Sequence, residues 1–293
     1  MAKAGLLFAG TDDGLVLLSN PNEIGRWLKI GQPFRGSRVR AVWPLPDQPL
    51  TVFAAVAGMG LQRSDDGGQS WQALLPDEAQ RIVGGAPAST ELYVAAGAAL
   101  LTSHDAGVTW QSAIPDSSGA IGALARGAAP GQLFGGVGGR VLASADGGAS
   151  WRVIGGVLPG DVAGIAAPTQ QPGRVYAVAG GQLYSSADGG AWQPVAGAPG
   201  AAGSIAALPG KTLALLLALA AGGIARSTDG AAWESADSSG AIDALVPAGY
   251  HVDTAFAGGM EGLLLGSTDR GRTWAALRPG LPPIVCIAGA RLL

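Results

Sequence analysis

Apolar residues come in short bursts along this chain. Each burst is ended by a cluster of Gly, Pro, Asp or Ser about every ten residues, and no window of about a dozen residues keeps apolar positions at i, i+3, i+4 and i+7 unbroken. That pattern predicts short strands joined by tight turns, with no long helix. Residues 161–195 show it best: "VAGIAAP", "GRVYAVAG", "QLYSSADGG" and "AWQPVAG" read as four successive strands, termed here inner, second, third and outer. Equivalent second strands are "LTVFAAVAG" (50–58), "ELYVAAGA" (91–98), "GQLFGGVG" (131–138) and "KTLALLLALA" (211–220). Their continuous apolar runs fit strands covered on both faces. The segments read as inner strands, "GALARG", "GIAAP" and "SIAALPG", are rich in Ala and Gly. Small side chains are what crowding near a central axis permits.

The four-strand unit repeats. Tryptophans at 27, 71, 110, 151, 192, 233 and 274 are separated by 44, 39, 41, 41, 41 and 41 residues, and the eighth, Trp43, lies off this register. A period near 40 with four short strands per unit is that of a propeller blade. Ahead of Trp27 there is room for only a second strand ("GLLFAGT"), a third ("GLVLLS") and an outer one ("RWLKI"), while after Trp274 the chain offers one extra strand, "PIVCIAGA". The economical solution makes that strand the inner strand of the first blade. Residues 1–30 and 282–293 then form one composite blade, and six further blades fill about 36–281. The expected fold is all-β: a single-domain, seven-bladed β-propeller of four-stranded antiparallel blades, closed without a free edge by the C-terminal strand joining the N-terminal blade.

Composition narrows the class. With 48% hydrophobic residues the chain can bury a core, which excludes disorder, and 49 glycines without a Gly-X-Y period fit a turn-rich β protein. A net charge of −3 with 13% charged residues gives no basic surface of the kind that binds nucleic acid. The single cysteine, Cys286, precludes an intrachain disulfide and fits a reducing compartment. The start, "MAKAGLLFAGTDDG", has too short an apolar run for a secretory signal, so a cytoplasmic location is expected. The run "TLALLLALAAGGIA" (212–225) has 14 residues, short of the roughly 20 that span a bilayer, and is read as a buried strand and turn.

Six of the register tryptophans close a motif, Ser-x-Asp-x-Gly-x-x-Trp. Full copies are "SDDGGQSW" (Ser64, Asp66, Gly68, Trp71), "SHDAGVTW" (Ser103, Asp105, Gly107, Trp110), "SADGGASW" (Ser144, Asp146, Gly148, Trp151) and "STDRGRTW" (Ser267, Asp269, Gly271, Trp274). Two are a residue shorter: "SADGGAW" (Ser186, Asp188, Trp192) and "STDGAAW" (Ser227, Asp229, Trp233), the latter with Ala231 where the glycine would stand. The first unit, "SNPNEIGRW", keeps only Ser19, Gly25 and Trp27. Each motif residue has a structural job. The carboxylate can accept N–H bonds from residues two or three ahead, the glycine can take positive φ, the serine can add a local bond, and the tryptophan can pack between blades. Six copies spread around a ring cannot converge on one catalytic site, and they lack the ligand spacing of an EF-hand or a β-roll, so neither chemistry nor metal is assigned to them. A one-residue deletion would flip the facing of the outer strand unless the turn itself shortens.

These boxes resemble the Asp-box, or BNR, repeat of sialidases, sortilin-type receptors, oligoxyloglucan-type glycosidases and photosystem II assembly-factor propellers, over nearly the whole chain. The repeat serves catalytic and non-catalytic propellers alike. The sialidase Arg-Ile-Pro motif is missing, "PFRGSRVR" (33–40) being a poor match, and the chain has residues for one ring where xyloglucan-type enzymes use two. One cysteine excludes the disulfide-rich segment of sortilins. The nearest in length and blade count is the photosystem II stability/assembly-factor type, a resemblance that implies a ring binding protein partners.

Other motifs carry less. "LPGKTL" (208–213) lacks the first glycine of a P-loop, with Ile205 in its place, and "GGVGGR" lacks the third glycine of a dinucleotide fingerprint. His104 and His251 alone make no zinc set, and no cofactor is expected. The best charge feature is Arg26, Lys29, Arg35, Arg38 and Arg40, five cations within fifteen residues and no acid among them, a candidate patch for an anion or an acidic partner. The reading of the whole is a non-catalytic interaction or assembly scaffold with a protein partner. Alternatives are a glycoside hydrolase or other carbohydrate-active propeller, drawing on Asp47, Asp161, Glu234, Asp237, Asp243, Asp253 or Glu261, and a small-ligand site at the axial channel.

Overall fold

The structure, a computed structural model, describes residues 4–292 apart from 22, 24–25, 77–78, 86–88, 113–118, 237 and 239. No helix occurs among them. Their strands form seven four-stranded antiparallel sheets. Blade 1 sets the C-terminal strand Ile284–Leu292 against Ala4–Thr11, followed by Gly14–Pro21 and Leu28–Gly31. The ladder that closes the ring runs from Ala4 opposite Leu292 to Thr11 opposite Ile284. Blades 2 to 7 run from inner to outer in chain order, with inner strands Val39–Leu45, Ala79–Gly84, Ile121–Arg126, Val162–Ala166, Ala201–Ala207 and Ala244–Pro247. Neighbouring inner strands pack on one another around the axis, and the C-terminal strand sits between those of blades 7 and 2.

Two ring faces follow from this topology. The start face carries the first residues of the inner strands and the hairpins between second and third strands. The box face carries the Asp-box turns and the loops from inner to second strand. In blades 1 to 6 the pairing of the inner strand shifts close to the start face, leaving residues such as Arg40, Gln80, Gly122 and Ala163 outside the ladder. Bulges of this kind re-aim side chains at a rim.

Each junction between blades holds its own apolar cluster, and each cluster contains one register tryptophan. Trp27 lies between blades 7 and 1, Trp71 between 1 and 2, Trp110 between 2 and 3, and Trp151 between 3 and 4. Trp192, Trp233 and Trp274 occupy the junctions 4–5, 5–6 and 6–7. The apolar run near 212–225 supplies the second strand Leu215–Leu219 and the third strand Ile224–Ser227 of blade 6, with Leu215, Leu216 and Leu217 fully buried between neighbouring blades. Closure removes the edge at the chain ends, but every blade keeps an outer edge. In blades 3, 5, 6 and 7 that edge is a strand of two residues: Gln111–Ser112, Gln193–Pro194, Glu234–Ser235 and Ala275–Ala276. Edges so short offer little template for pairing with another chain.

Candidate functional site

The four full-length boxes share one geometry. In the 144–151 copy, Ser144 Oγ donates to Asp146 Oδ1 at 2.8 Å and accepts the Gly148 N–H at 2.8 Å. Asp146 Oδ1 accepts the Ser150 N–H at 2.9 Å, its Oδ2 accepts the Ser150 hydroxyl at 2.6 Å, and Trp151 Nε1 donates to Gly148 O at 2.8 Å. The same bonds recur in the 64–71, 103–110 and 267–274 copies. The glycine of each has positive φ. The carboxylate reaches three or four residues ahead, one further than the sequence implied. Its fourth-position partner is a hydroxyl residue, Ser70, Thr109, Ser150 or Thr273, that the motif as read left unspecified. The signal was there to find, since both short boxes have alanine, Ala191 and Ala232, at that place.

These bonds favour the charged carboxylate. The Ser70 hydroxyl and N–H hold Asp66 well below the usual carboxylate range. Thr109 and Ser150 do the same for Asp105 and Asp146, each brought down to about 2. Slight burial pushes Asp269 up, and the bonds from Thr273 outweigh it to give about 2. A carboxylate that is permanently ionised and saturated by its own turn is a poor proton donor or acceptor near neutral pH. The boxes are architecture.

The short boxes depart from this pattern, each differently. In both, the residue before the serine still pairs with the residue after the tryptophan, Ser185 with Gln193 and Arg226 with Glu234, as Ala143 pairs with Arg152. The turn has shortened and the outer strand keeps its facing. In 227–233, Gly230 takes the glycine's place, with φ of 81° and its N–H on Ser227 Oγ at 2.9 Å, so Ala231 does not replace it. Asp229 still caps, accepting the Ala231 and Ala232 N–H groups, which lower its pKa. In 186–192 the aspartate itself has φ of 52°, and its N–H bonds Gly173 O at 2.8 Å, the bond that Gly67, Ala106, Gly147 and Arg270 make in the full boxes. Moved into that slot, the Asp188 carboxylate accepts no hydrogen bond from the described residues. Ser186 Oγ donates instead to Gly190 O, and Trp192 Nε1 to Ile154 O of the preceding blade. Trp233 Nε1 is buried without a partner among the described residues.

The five-cation cluster is divided by the fold. Arg26 is exposed ahead of the outer strand of blade 1, at its box end, and Lys29 lies within that strand. Arg35, Arg38 and Arg40 follow it, on the start face, as the chain enters the inner strand of blade 2. The blade-1 hairpin inserts acids that the linear reading did not place there. Arg38 Nε pairs with Asp12 Oδ1 at 3.2 Å, and Asp13 accepts the Gly36 N–H at 2.7 Å. Gln32 Oε1 takes hydrogen bonds from Lys29 and Arg35. The next inner strand adds Arg81, which the sequence reading missed because it stands 41 residues from Arg40. Surrounding protein in the channel wall lowers the Arg81 pKa, the nearby Cys286 sulfur opposes this, and the Arg38 charge adds to it. Cys286 stands beside them, its thiol pushed up to about 12 by desolvation. Gly25 of the first unit lies outside the described residues.

Among the described residues, the carboxylates considered for hydrolysis are spread over blades 2, 5, 6 and 7, with Asp243 and Glu261 at one hairpin of blade 7. Asp47 and Asp253 are on the box face, the latter 3.5 Å from Arg270 Nη1, and Glu234 lies in the blade 6 outer strand, 2.6 Å from Arg226 Nη1. Asp161 precedes the inner strand of blade 5, and Asp243 precedes that of blade 7, where it accepts the Met260 N–H at 3.0 Å; Glu261 is in the following turn. Asp237 lies outside the described residues. No group of three or more potential metal ligands occurs among the described residues. His104 and His251 lie in separate blades, His104 3.5 Å from Glu91 Oε1 and His251 Nδ1 accepting the Asp253 N–H.

A model of the BNR/Asp-box repeat matches residues 62–73, which form the third strand and box of blade 2. The fold is a seven-bladed β-propeller, and the matched repeat is one of its boxes. Among solved structures, YCF48 from Cyanidioschyzon merolae is similar to this propeller at 17% identity and a TM-score of 0.61, over 87% of this chain and 88% of that one. A YCF48 structure described as bound to D1 peptide is similar at 17% identity and a TM-score of 0.65, over 88% of each chain. An ancestral GH74 enzyme has a TM-score of 0.65 and 15% identity, over 96% of this chain and 45% of its own, so the Asp-box propeller spans about half of that enzyme. At these identities the likeness is one of fold. The comparison with curated proteins finds no match.

Proposed function

We propose that this Asp-box propeller is a non-catalytic interaction scaffold whose start face receives an acidic segment of a protein partner. The observation that supports the reading is the run of Arg35, Arg38 and Arg40 leading into the inner strand of blade 2, with Arg38 close enough to Arg81 of the next inner strand for its charge to lower the Arg81 pKa. Grouped guanidiniums steer an anionic partner and bind carboxylates in bidentate fashion. The YCF48 neighbours, similar over most of both chains and in one case bound to a peptide, support an interaction role. The GH74 likeness supports hydrolysis less, because a glycosidase needs two carboxyl groups about 5–9 Å apart across a cleft. Asp161 and Asp243 have blade 6 between them, and Asp243, at the same hairpin as Glu261, is engaged by the Met260 N–H.

The test is affinity purification from the native host with the full chain and with a variant carrying Arg35→Gln, Arg38→Gln, Arg40→Gln and Arg81→Gln. The partner bound by the parent should be lost from the variant, and should leave the parent as salt rises. A variant with an unchanged melting temperature that retains the same partner would overturn the reading.

A further inference from the structure

The second strand of most blades carries a large residue facing the box of the next blade, and the space over it is filled. In blade 2, Phe53 is paired across the sheet with Arg63, whose guanidinium lies 5.8 Å from the ring centroid and donates to Ala106 O in the next box. In blade 6, Leu216 is paired with Arg226, which donates to Arg270 O in the next box. In blades 3 and 5 the residue is a tyrosine whose hydroxyl fills the space beside the next box: a Cβ on Gly147 would be 3.3 Å from Tyr93 Oη, and Tyr176 Oη lies against Gly230. In blade 7, Trp27 packs edge-on against Phe256.

Blade 4 lacks all of these fillers. Phe134 is paired with Ala143, has no hydroxyl, and faces the box that is short of a residue. The outcome is an open cleft of about 270 Å³ between blades 4 and 5 on the box face. Phe134, Ile154 and Val175, all buried, form its apolar floor, and Gln132, Arg152 and Asp188 its rim. Arg152 lays its guanidinium against Gly189, where a Cβ would come within 3.2 Å of Nη1. The Arg152 guanidinium and the Asp188 carboxylate, both on exposed residues, have no hydrogen-bond or ion-pair partner among the described residues, and they do not pair with each other.

We propose that this cleft binds a free α-amino acid with an aliphatic or aromatic side chain. An apolar floor bounded by one guanidinium and one carboxylate matches a zwitterion carrying an apolar group. The ligand's carboxylate sits on Arg152, its ammonium on Asp188, and its side chain on Phe134, Ile154 and Val175. The cleft is below the ~300–1,000 Å³ of sites that enclose drug-sized ligands, which suits an occupant of one residue. The site is on the opposite face from the arginine cluster and does not depend on the proposed scaffold role.

Titration calorimetry on the full chain tests it, using leucine, phenylalanine, leucinamide and a tripeptide ending in leucine. Leucine or phenylalanine should bind saturably, and leucinamide, without a carboxylate, about tenfold or more weaker, as expected for loss of a charge-assisted bond. Arg152→Gln and Asp188→Asn should each weaken leucine by a similar factor. Ala143→Arg, which brings to this junction the residue type already present at 63 and 226, should fold and abolish binding. Three outcomes would overturn the proposal: no heat with either amino acid at about millimolar ligand, leucine binding that survives Ala143→Arg, or binding of the tripeptide without the free amino acids, which would assign the cleft to a chain end instead.

Discussion

Ser144 Oγ holds two ends of one turn, donating to Asp146 and accepting from the buried Gly148 N–H. Replacing it with alanine leaves that N–H without an acceptor, at a cost of about 1–3 kcal/mol. Ser144→Ala should therefore shift the urea midpoint of unfolding downward without altering the slope. The box carboxylates add a pH dependence whose sign is fixed. Asp105, Asp146 and Asp269 titrate at about 2 in the folded chain, against roughly 3.9 for an unperturbed aspartate, and Asp66 and Asp229 are also lowered. Depressed values mean the folded state holds its charge harder than the unfolded one. The stability they supply is whole above about pH 4 and is lost as pH falls toward about 2. Melting temperature measured from pH 7 downward should stay level until about pH 4 and then fall; a decline already complete by pH 5 would assign acid sensitivity to other groups.

Among elements, the closing ladder of blade 1 is closely packed at Gly10. Gly10 pairs with Cys286, and a Cβ at Gly10 would stand 2.9 Å from Val39 O and closer still to Cys286 Sγ. Gly10→Ala should destabilise by about 1–3 kcal/mol through overpacking, as read by chemical denaturation, with wild-type stability as the contrary result. The strands themselves were legible because their information is local: alternating bursts, turn clusters and a tryptophan every 41 or so residues. The bulges that open the inner strands at the start face were not. They arise where seven strands converge on an axis, and nothing in "VRAVWPL" or "IGALAR" marks Arg40 or Gly122 as the residue to be left out of the ladder.

For the molecule as a whole, closure is what turns seven weak sheets into one cooperative body. Each cluster belongs to a junction between two blades, so no blade buries its apolar faces alone. Removing 284–293 strips the inner strand from Ala4–Thr11 and takes Ile284, Ile287, Ala288 and Ala290 out of two junctions. The truncated chain should give no single calorimetric transition and should associate on size exclusion, since an unpaired apolar strand is exposed. A monodisperse product melting cooperatively near the parent temperature would show that the ring does not depend on its velcro.

The sequence by itself determined the period, the order of strands within a blade, the composite first blade and the places of the box turns. These rest on contacts within about four residues or on one repeat matched to the next. Only the tertiary structure decided which cations share a face, that Asp188 leaves its capping role, and that blades 4 and 5 part where Phe134 meets Ala143. Those outcomes depend on groups brought together from different strands or blades, as Asp188 and Gly173, Arg63 and Ala106 or Arg226 and Arg270 are, and their distance is set by the sheets and the ring and not by the chain.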